Sequence, residues 1–206
     1  MGVQVVAVVD YDAGNLRSVE TALRHIGAPF IVTADPGVLE GADRIVVPGV
    51  GEARAAMARI DDRGLSGTLR ERIAAGVPAL GICLGSQIVL DRSEENGASC
   101  LGLIPGVARA FPPGAGLKIP HMGWNTISFG SDHPLFAGID DESSFYFVHS
   151  YYPAPETASD CLATCEYGLR FCAVLGRDNL VATQFHPEKS GSAGLRLLQN
   201  FLDWNP

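Results

Sequence analysis

Three side chains in this sequence could make a nucleophilic triad. Cys83 lies in Gly81-Ile82-Cys83-Leu84-Gly85, and His186 and Glu188 lie in Gln184-Phe185-His186-Pro187-Glu188. A thiolate attacks carbonyl carbon, an imidazole moves the protons, and a carboxylate fixes the imidazole's tautomer. The apolar stretch 77–82 before Cys83 reads as a short buried strand, and 84–90 reads as the start of a helix. Cys83 would then sit at the apex of a nucleophile elbow. Glycines at 81 and 85 suit a turn too tight for Cβ atoms nearby. The free N–H groups and dipole of a helix N-terminus favour the thiolate. His186 and Glu188 are two apart, so in extended backbone their side chains share a side, with Pro187 restricting the turn between them. The N–H of Leu84 is one candidate donor for a tetrahedral oxyanion. The Gly49-Val50-Gly51 segment offers others at Val50 and Gly51. Each such donor is worth about 3 kcal/mol of transition-state stabilisation.

Taken singly, these pieces have plain readings. A cysteine between glycines is commonly a packed core residue, His-Pro-Glu a surface turn and Pro48-Gly49-Val50-Gly51 a strand-ending loop. Their positions make the difference, because all three follow apolar strands. Residues 4–9, 30–32 and 44–47 read as strands. Leu16, Val19, Leu23 and Ile26 recur at helical spacing, and 54–60 and 65–75 look helical. That alternation predicts an α/β fold with a mainly parallel central sheet flanked by helices, with function beyond the carboxyl ends of its strands. Residues 97–130 are rich in Gly and Pro and read as loops and strands with turns, an antiparallel excursion of the sheet. Further strands are expected at 144–148, 161–167, 171–175 and 180–185, some joined as hairpins. A closing helix at 194–204 bears Leu195, Leu198 and Leu202 on one side.

With 206 residues, 47% hydrophobic and 18% charged, the chain has the size and composition of one globular domain, residues 1–206. A net charge of −8 offers no electrostatic footprint for nucleic acid or anionic lipid. No signal stretch opens the sequence and no apolar run is long enough to span a bilayer, so a cytoplasmic protein is expected. The five cysteines are irregularly spaced, unlike a disulfide framework or a zinc site, and most read as small core residues. His25 reads as a solvated helix end and His133 as part of a surface loop. His121 and His149 lack metal-ligand spacing, so neither a metal nor an organic cofactor is expected.

The Cys83 and His186 motifs resemble those of the triad-type class I glutamine amidotransferases. The likeness covers nearly the whole chain. It is closest to the branch of glutaminase subunits that serve imidazole glycerol phosphate synthases. Asp10-Tyr11, Gly14-Asn15-Leu16-Arg17-Ser18-Val19, Pro48-Gly49-Val50-Gly51, Pro120-His121-Met122-Gly123-Trp124-Asn125, Tyr146 to Tyr152 and Pro187-Glu188-Lys189-Ser190 carry that finer likeness. The resemblance implies glutamine as substrate, a γ-glutamyl thioester on Cys83 and release of ammonia to a separate (β/α)8 cyclase subunit in a heterodimer, for histidine biosynthesis. It implies that Gln87 and the backbone around Gly51, Ser150 and Tyr151 hold the amino-acid end of glutamine. It further implies that Tyr11, Asn15, Trp124 and Lys189 lie at or near the cyclase interface, and that the Gly49-Val50 peptide stays in a non-productive orientation until the cyclase binds its ligand. Met122, Trp124 and Tyr151 also suit an interface by residue type, although Trp124 reads equally as a core aromatic. Two positions depart from the family pattern. Asp12 stands where glycine is usual and adds a charge near the docking face, and Ser86 stands where methionine or histidine is common.

Other readings compete: a glutaminase for another acceptor, a stand-alone cysteine hydrolase, and a silent binding module. The Pro-His-Met-Gly-Trp-Asn segment argues against the first, and the intact Cys83, His186 and Glu188 against the last.

Overall fold

The computed structural model describes residues 5–112 and 117–206. In chain order the elements are β1 (Val6–Val9), α1 (Leu16–His25), β2 (Phe30–Thr33), α2 (Pro36–Glu40), β3 (Arg44–Val47), α3 (Ala53–Asp62), α4 (Leu65–Ala74), β4 (Ala79–Ile82) and α5 (Leu84–Ile88). There follow β5 (Arg92–Ser93), β6 (Ala98–Ser99), β7 (Gly106–Ala110), β8 (His121–Phe129), β9 (Ser144–His149), β10 (Tyr151–Pro155), β11 (Cys161–Glu166), β12 (Arg170–Arg177), β13 (Leu180–Thr183) and α6 (Gly191–Asp203).

The main sheet runs β2-β1-β3-β4-β13-β12-β11-β8-β9. Its first five strands are mutually parallel, and the remaining four are added antiparallel. The expected α/β architecture is present, with an antiparallel part larger than an excursion. A smaller sheet, β10-β7-β5-β6, stands beside it.

Alternation along the buried strands builds two cores. Ala7, Val9, Ile45 and Val47 pack with Met57 and Ile60 of α3 and Leu65 and Leu69 of α4. Val6, Val8, Val46 and Leu80 pack on the opposite face with Val19 and Leu23 of α1 and Leu197, Leu198 and Phe201 of α6. Strands buried on both faces need such apolar runs. On α6 the expected Leu195, Leu198 and Leu202 all pack on this second core, Leu198 most deeply. Gly194, Leu197, Leu198 and Phe201 face inward, while Leu195 and Leu202 are half-buried. Gly194 explains the phase, since a Cβ there would lie 2.0 Å from the Pro187 carbonyl oxygen. Most other expected elements agree to within a few residues, with the start of the first strand and residues 113–116 lying outside the described residues. β10 was not foreseen, because Pro153 and Pro155 argue against a strand. It is tolerated because β10 is the edge of its sheet, paired only with β7. Among the described residues no helix is long and apolar enough to cross a membrane.

The register decides where chemistry can occur. Val47 pairs with Gly81, and Ile82 with Thr183, so β3, β4 and β13 end flush. The loop after Val47, the turn at Cys83 and the segment from Gln184 to Glu188 therefore leave the sheet side by side.

Candidate active site

Cys83 has φ 54° and ψ −102°, a conformation costly for a residue with a Cβ and stored only where its surroundings enforce it. The enforcing contacts are explicit. Its N–H donates to Thr183 O at 2.7 Å, and its carbonyl accepts from the Ser86 hydroxyl at 2.7 Å and the Ser86 N–H at 2.9 Å. The unusual Ser86 thus braces the turn from inside, fully buried. A Cβ on Gly85 would come within 2.1 Å of Val47 O, and one on Gly81 within 2.8 Å of Gly85 O. The glycines are required by close approach of neighbouring backbone, as the sequence suggests, while the left-handed φ falls on the cysteine.

His186 leaves β13 in extended conformation, and Pro187–Lys189 forms a 3-10 turn. That turn brings Glu188 back under the ring, a tighter route than the extended dipeptide expected. His186 Nδ1 and Glu188 Oε1 are 2.7 Å apart, and neither side chain is exposed. The bond puts the Nδ1 proton toward the carboxylate. The opposite nitrogen, Nε2, makes no hydrogen bond among the described residues, and Cys83 is close enough to interact with the ring. Burial opposes charge on this imidazole, but Cys83 and Glu188 outweigh it and push its pKa up to about 10. The ring is therefore held as an imidazolium, the counter-charge a thiolate needs.

The sign of that shift makes a prediction. With a folded pKa of about 10 against an ordinary 6.5, the paired imidazolium stabilises the fold fully below about pH 6.5 and loses that effect as pH rises through about 10. The advantage of wild type over His186→Gln in urea midpoint is expected to persist at neutral pH and shrink toward pH 10. An advantage that grew over that interval would contradict the ion pair.

Two amides complete the surroundings. Gln184 Nε2 lies 3.8 Å from Cys83 Sγ, while its Oε1 accepts from Gln87 Nε2 at 3.1 Å. Gln87 Nε2 also donates to Tyr151 O at 3.1 Å. Above the thiol lies a cavity of about 380 Å³, a size suited to a small ligand. It is lined by Val50, Gly51, Cys83, Leu84, Gln87, Ser150 and Tyr151, all singled out in the sequence. Glu95, Pro120, Val148 and His149 also line it and were missed as site residues. Glu95 comes from a short turn between β5 and β6, and its Oε2 accepts from Ala53 N–H at 2.8 Å. Burial pushes its pKa up, against that hydrogen bond. Nothing in the local sequence marks it, because only tertiary folding brings it to the thiol.

One expected donor is engaged elsewhere. Leu84 N–H donates to Gly49 O at 3.2 Å, so this carbonyl occupies the direction an oxyanion would need. The sequence offers glycine freedom here, yet it cannot reveal which way the Gly49-Val50 peptide points.

The expected docking residues divide. Met122 and Trp124 are 60% and 59% exposed on the outer side of β8, which removes the core reading of Trp124, and Lys189 is exposed at the end of the Pro187–Lys189 turn. Tyr11 and Asn15 are buried within the chain itself. The Tyr11 hydroxyl donates to Pro48 O at 2.6 Å, beneath the loop that blocks Leu84. Asn15 Nδ2 donates to Glu188 Oε1 at 3.2 Å, so it orients the triad carboxylate. Their types suit an interface, but long-range packing claims them first. Asp12 has φ 65°, which explains why glycine fits this position, and aspartate is among the residues that tolerate it. Arg63 Nη2 pairs with its carboxylate at 2.5 Å, so the added charge is balanced within the chain. Among the described residues no group of three or more His, Cys, Asp or Glu side chains is placed to hold a metal ion.

The sequence model of the family described as glutamine amidotransferase class-I matches residues 7–204. The chain is 54% identical over 211 residues to a Methylococcus capsulatus (strain Bath) protein named imidazole glycerol phosphate synthase subunit HisH, covering 98% of this chain and 97% of that one. It is 51% identical over 203 residues to the protein of the same name from Nitratidesulfovibrio vulgaris (strain DP4), covering 96% and 95%. A crystal structure of a glutamine amidotransferase superposes with a TM-score of 0.73 at 21% identity, over 98% of each chain.

Proposed function

This chain belongs to the class I glutamine amidotransferase family, and we propose that within it the chain is the glutaminase subunit of an imidazole glycerol phosphate synthase, working in the cytoplasm. The observation that carries the chemical part is the Cys83–His186–Glu188 arrangement, with Cys83 lining a cavity roomy enough for a small amino acid. Full-length identity of about half to proteins named as that subunit supports the choice of acceptor.

The reaction follows from the charges. The Cys83 thiolate attacks the side-chain carboxamide carbon of glutamine, forming a carbon–sulfur bond and an oxyanion. Collapse breaks the carbon–nitrogen bond as imidazolium His186 gives its Nε2 proton to the departing nitrogen, which leaves as ammonia. The neutral imidazole then takes a proton from water, whose oxygen attacks the thioester. Collapse of this second intermediate breaks the carbon–sulfur bond, glutamate departs, and the Cys83 thiolate is left beside the imidazolium that kept water's proton. Glu188 keeps the Nδ1 proton in place throughout, and Asn15 holds Glu188.

Among the lining residues, the Glu95 carboxylate suits the α-ammonium of glutamine, while Gln87 and the backbone of Gly51, Ser150 and Tyr151 suit its polar amino-acid group. Glu95→Gln is expected to raise KM for glutamine about tenfold or more with a smaller change in kcat, the loss of one charge-assisted contact. Glutamine saturation curves of the variant and wild type check this.

Ammonia released into water would be largely protonated and without a lone pair for attack, so the product needs a sheltered acceptor. We assign that acceptor to a (β/α)8 cyclase subunit seated over Met122, Trp124 and Lys189. The test is reconstitution: purified chain mixed with such a cyclase should co-elute as a heterodimer and make imidazole glycerol phosphate from glutamine. Separate elution with no glutamine-dependent product would reject the assignment. The stand-alone hydrolase reading fits less well with a Leu84 N–H already bonded to Gly49 O.

A further inference from the structure

His121 and His149 lie beside the catalytic site, and the chemistry above uses neither. They are buried, 3% and 5% exposed, and their facing nitrogens are 2.9 Å apart. His149 Nδ1 is 2.8 Å from Tyr151 O, and His121 Nε2 is 3.3 Å from Asn125 Nδ2. A carbonyl only accepts, so His149 must carry its proton on Nδ1, leaving Nε2 as an acceptor. His121 must then donate from Nδ1, and its own Nε2 accepts from the Asn125 amide. One arrangement of protons satisfies every link, with both rings neutral. Burial lowers the pKa of His121 to about 4 and that of His149 to about 3, the latter further opposed by His121 and His186. The other Asn125 amide hydrogen is committed to Glu166 O at 2.9 Å, and Asn125 Oδ1 accepts from Thr126 N–H at 2.9 Å. Aromatic rings clamp both imidazoles: Tyr167 stacks on His121 at 4.0 Å and Phe171 packs against His149 at 5.3 Å.

We propose that the buried Asn125–His121–His149 chain is a positioning relay that fixes the Tyr151 carbonyl and thereby shapes the glutamine-binding wall; the proposal rests on the glutaminase reading above. Tyr151 O is the point where the relay meets the pocket, because it also accepts from Gln87 Nε2. Ser150 O is held in turn by Phe111 N–H at 3.3 Å. Both carbonyls flanking the Tyr151 residue are thus anchored, and the trans peptide sets its N–H opposite the Ser150 carbonyl. Ser150, Tyr151, Gln87 and His149 all line the cavity above Cys83. The relay starts on β8, where His121 points inward between neighbours on the exposed strand that carries Met122 and Trp124. A purely space-filling role would be served as well by two apolar rings, without two buried polar groups to satisfy. His121 and His149 are positioning residues and touch no reacting atom.

The test uses the complex with its cyclase. His149→Phe fills the site but removes the donor to Tyr151 O. It should raise KM for glutamine about tenfold, as loss of one buried hydrogen bond does, with kcat within about twofold and ammonium-dependent synthesis unchanged. His149→Asn, whose side-chain N–H can reach the Nδ1 position, should restore most of the KM. An unchanged KM in His149→Phe, or no recovery in His149→Asn, overturns the relay. Imidazole nitrogen NMR of the wild-type complex tests it without any variant: both rings should be neutral Nδ1–H tautomers at neutral pH, and an Nε2–H tautomer or an imidazolium at either ring overturns it. Absence of glutamine turnover by wild type would instead reject the underlying glutaminase reading.

Discussion

Cys83→Ala should abolish glutamine-dependent synthesis by the complex while synthesis from added ammonium salt at alkaline pH survives. The expected loss is at least about 10⁴-fold, the range seen when a covalent nucleophile is removed from a site that acts as a unit. The large effect follows from the geometry. Among the described residues no other sulfur lines the cavity, and the remaining cysteines are in the core or half-buried. Alanine keeps the backbone but not the bond-forming atom. It also removes the charge that helps hold His186 protonated, so the leaving nitrogen loses its proton donor too. Ammonium rescue separates chemistry from folding, because it requires the acceptor subunit and an intact interface but not the thiol. Equal loss with both nitrogen sources in an intact complex, or glutamine use that persisted, would contradict the division of labour.

The second large effect is activation by the partner. As the isolated chain stands, Leu84 N–H is bonded to Gly49 O, so the oxyanion lacks its nearest donor. Rotating the Gly49-Val50 peptide would free that N–H and turn the Val50 N–H inward. Gly49 has the backbone freedom for such a rotation, and in the bonded state only glycine fits there, since a Cβ would fall 2.3 Å from the Tyr11 hydroxyl and 2.8 Å from Leu84 Cβ. One donor is worth about 10²–10³ in rate, so the cyclase with bound ligand should raise glutamate formation by at least about 10²-fold over the chain alone. Steady-state glutaminase assays with and without the liganded cyclase decide it. Equal rates would mean that the Leu84–Gly49 bond does not limit the reaction.

How far the sequence could be read follows from the range of the forces involved. The elbow, the strands beside it and the His-Pro-Glu turn were legible because local pattern sets them: apolar runs buried on both faces, glycines where backbones touch, a proline after the last strand. The side-by-side exit of three loops followed from parallel pairing. Asn15 was not legible, since its partner Glu188 is 173 positions away and its polar type suits a surface equally well. The Tyr11 hydroxyl's bond to Pro48 O was hidden for the same reason, its partner lying 37 positions away. Glu95 reaches the cavity through the smaller sheet, and His149, with His121 behind it, through β8–β9 pairing, which Gly- and Pro-rich segments encode weakly. The exposure of Trp124 could not be decided by composition, because aromatic residues serve cores and interfaces alike.

The most direct measurement is covalent labelling of the complex with a diazoketone analogue of glutamine, followed by peptide mapping. One label per chain on Cys83, slowed by excess glutamine and lost together with glutaminase activity, is the predicted result. Label on Cys100, Cys161, Cys165 or Cys172 instead, or full activity in a chain labelled at Cys83, would show that another group attacks the amide.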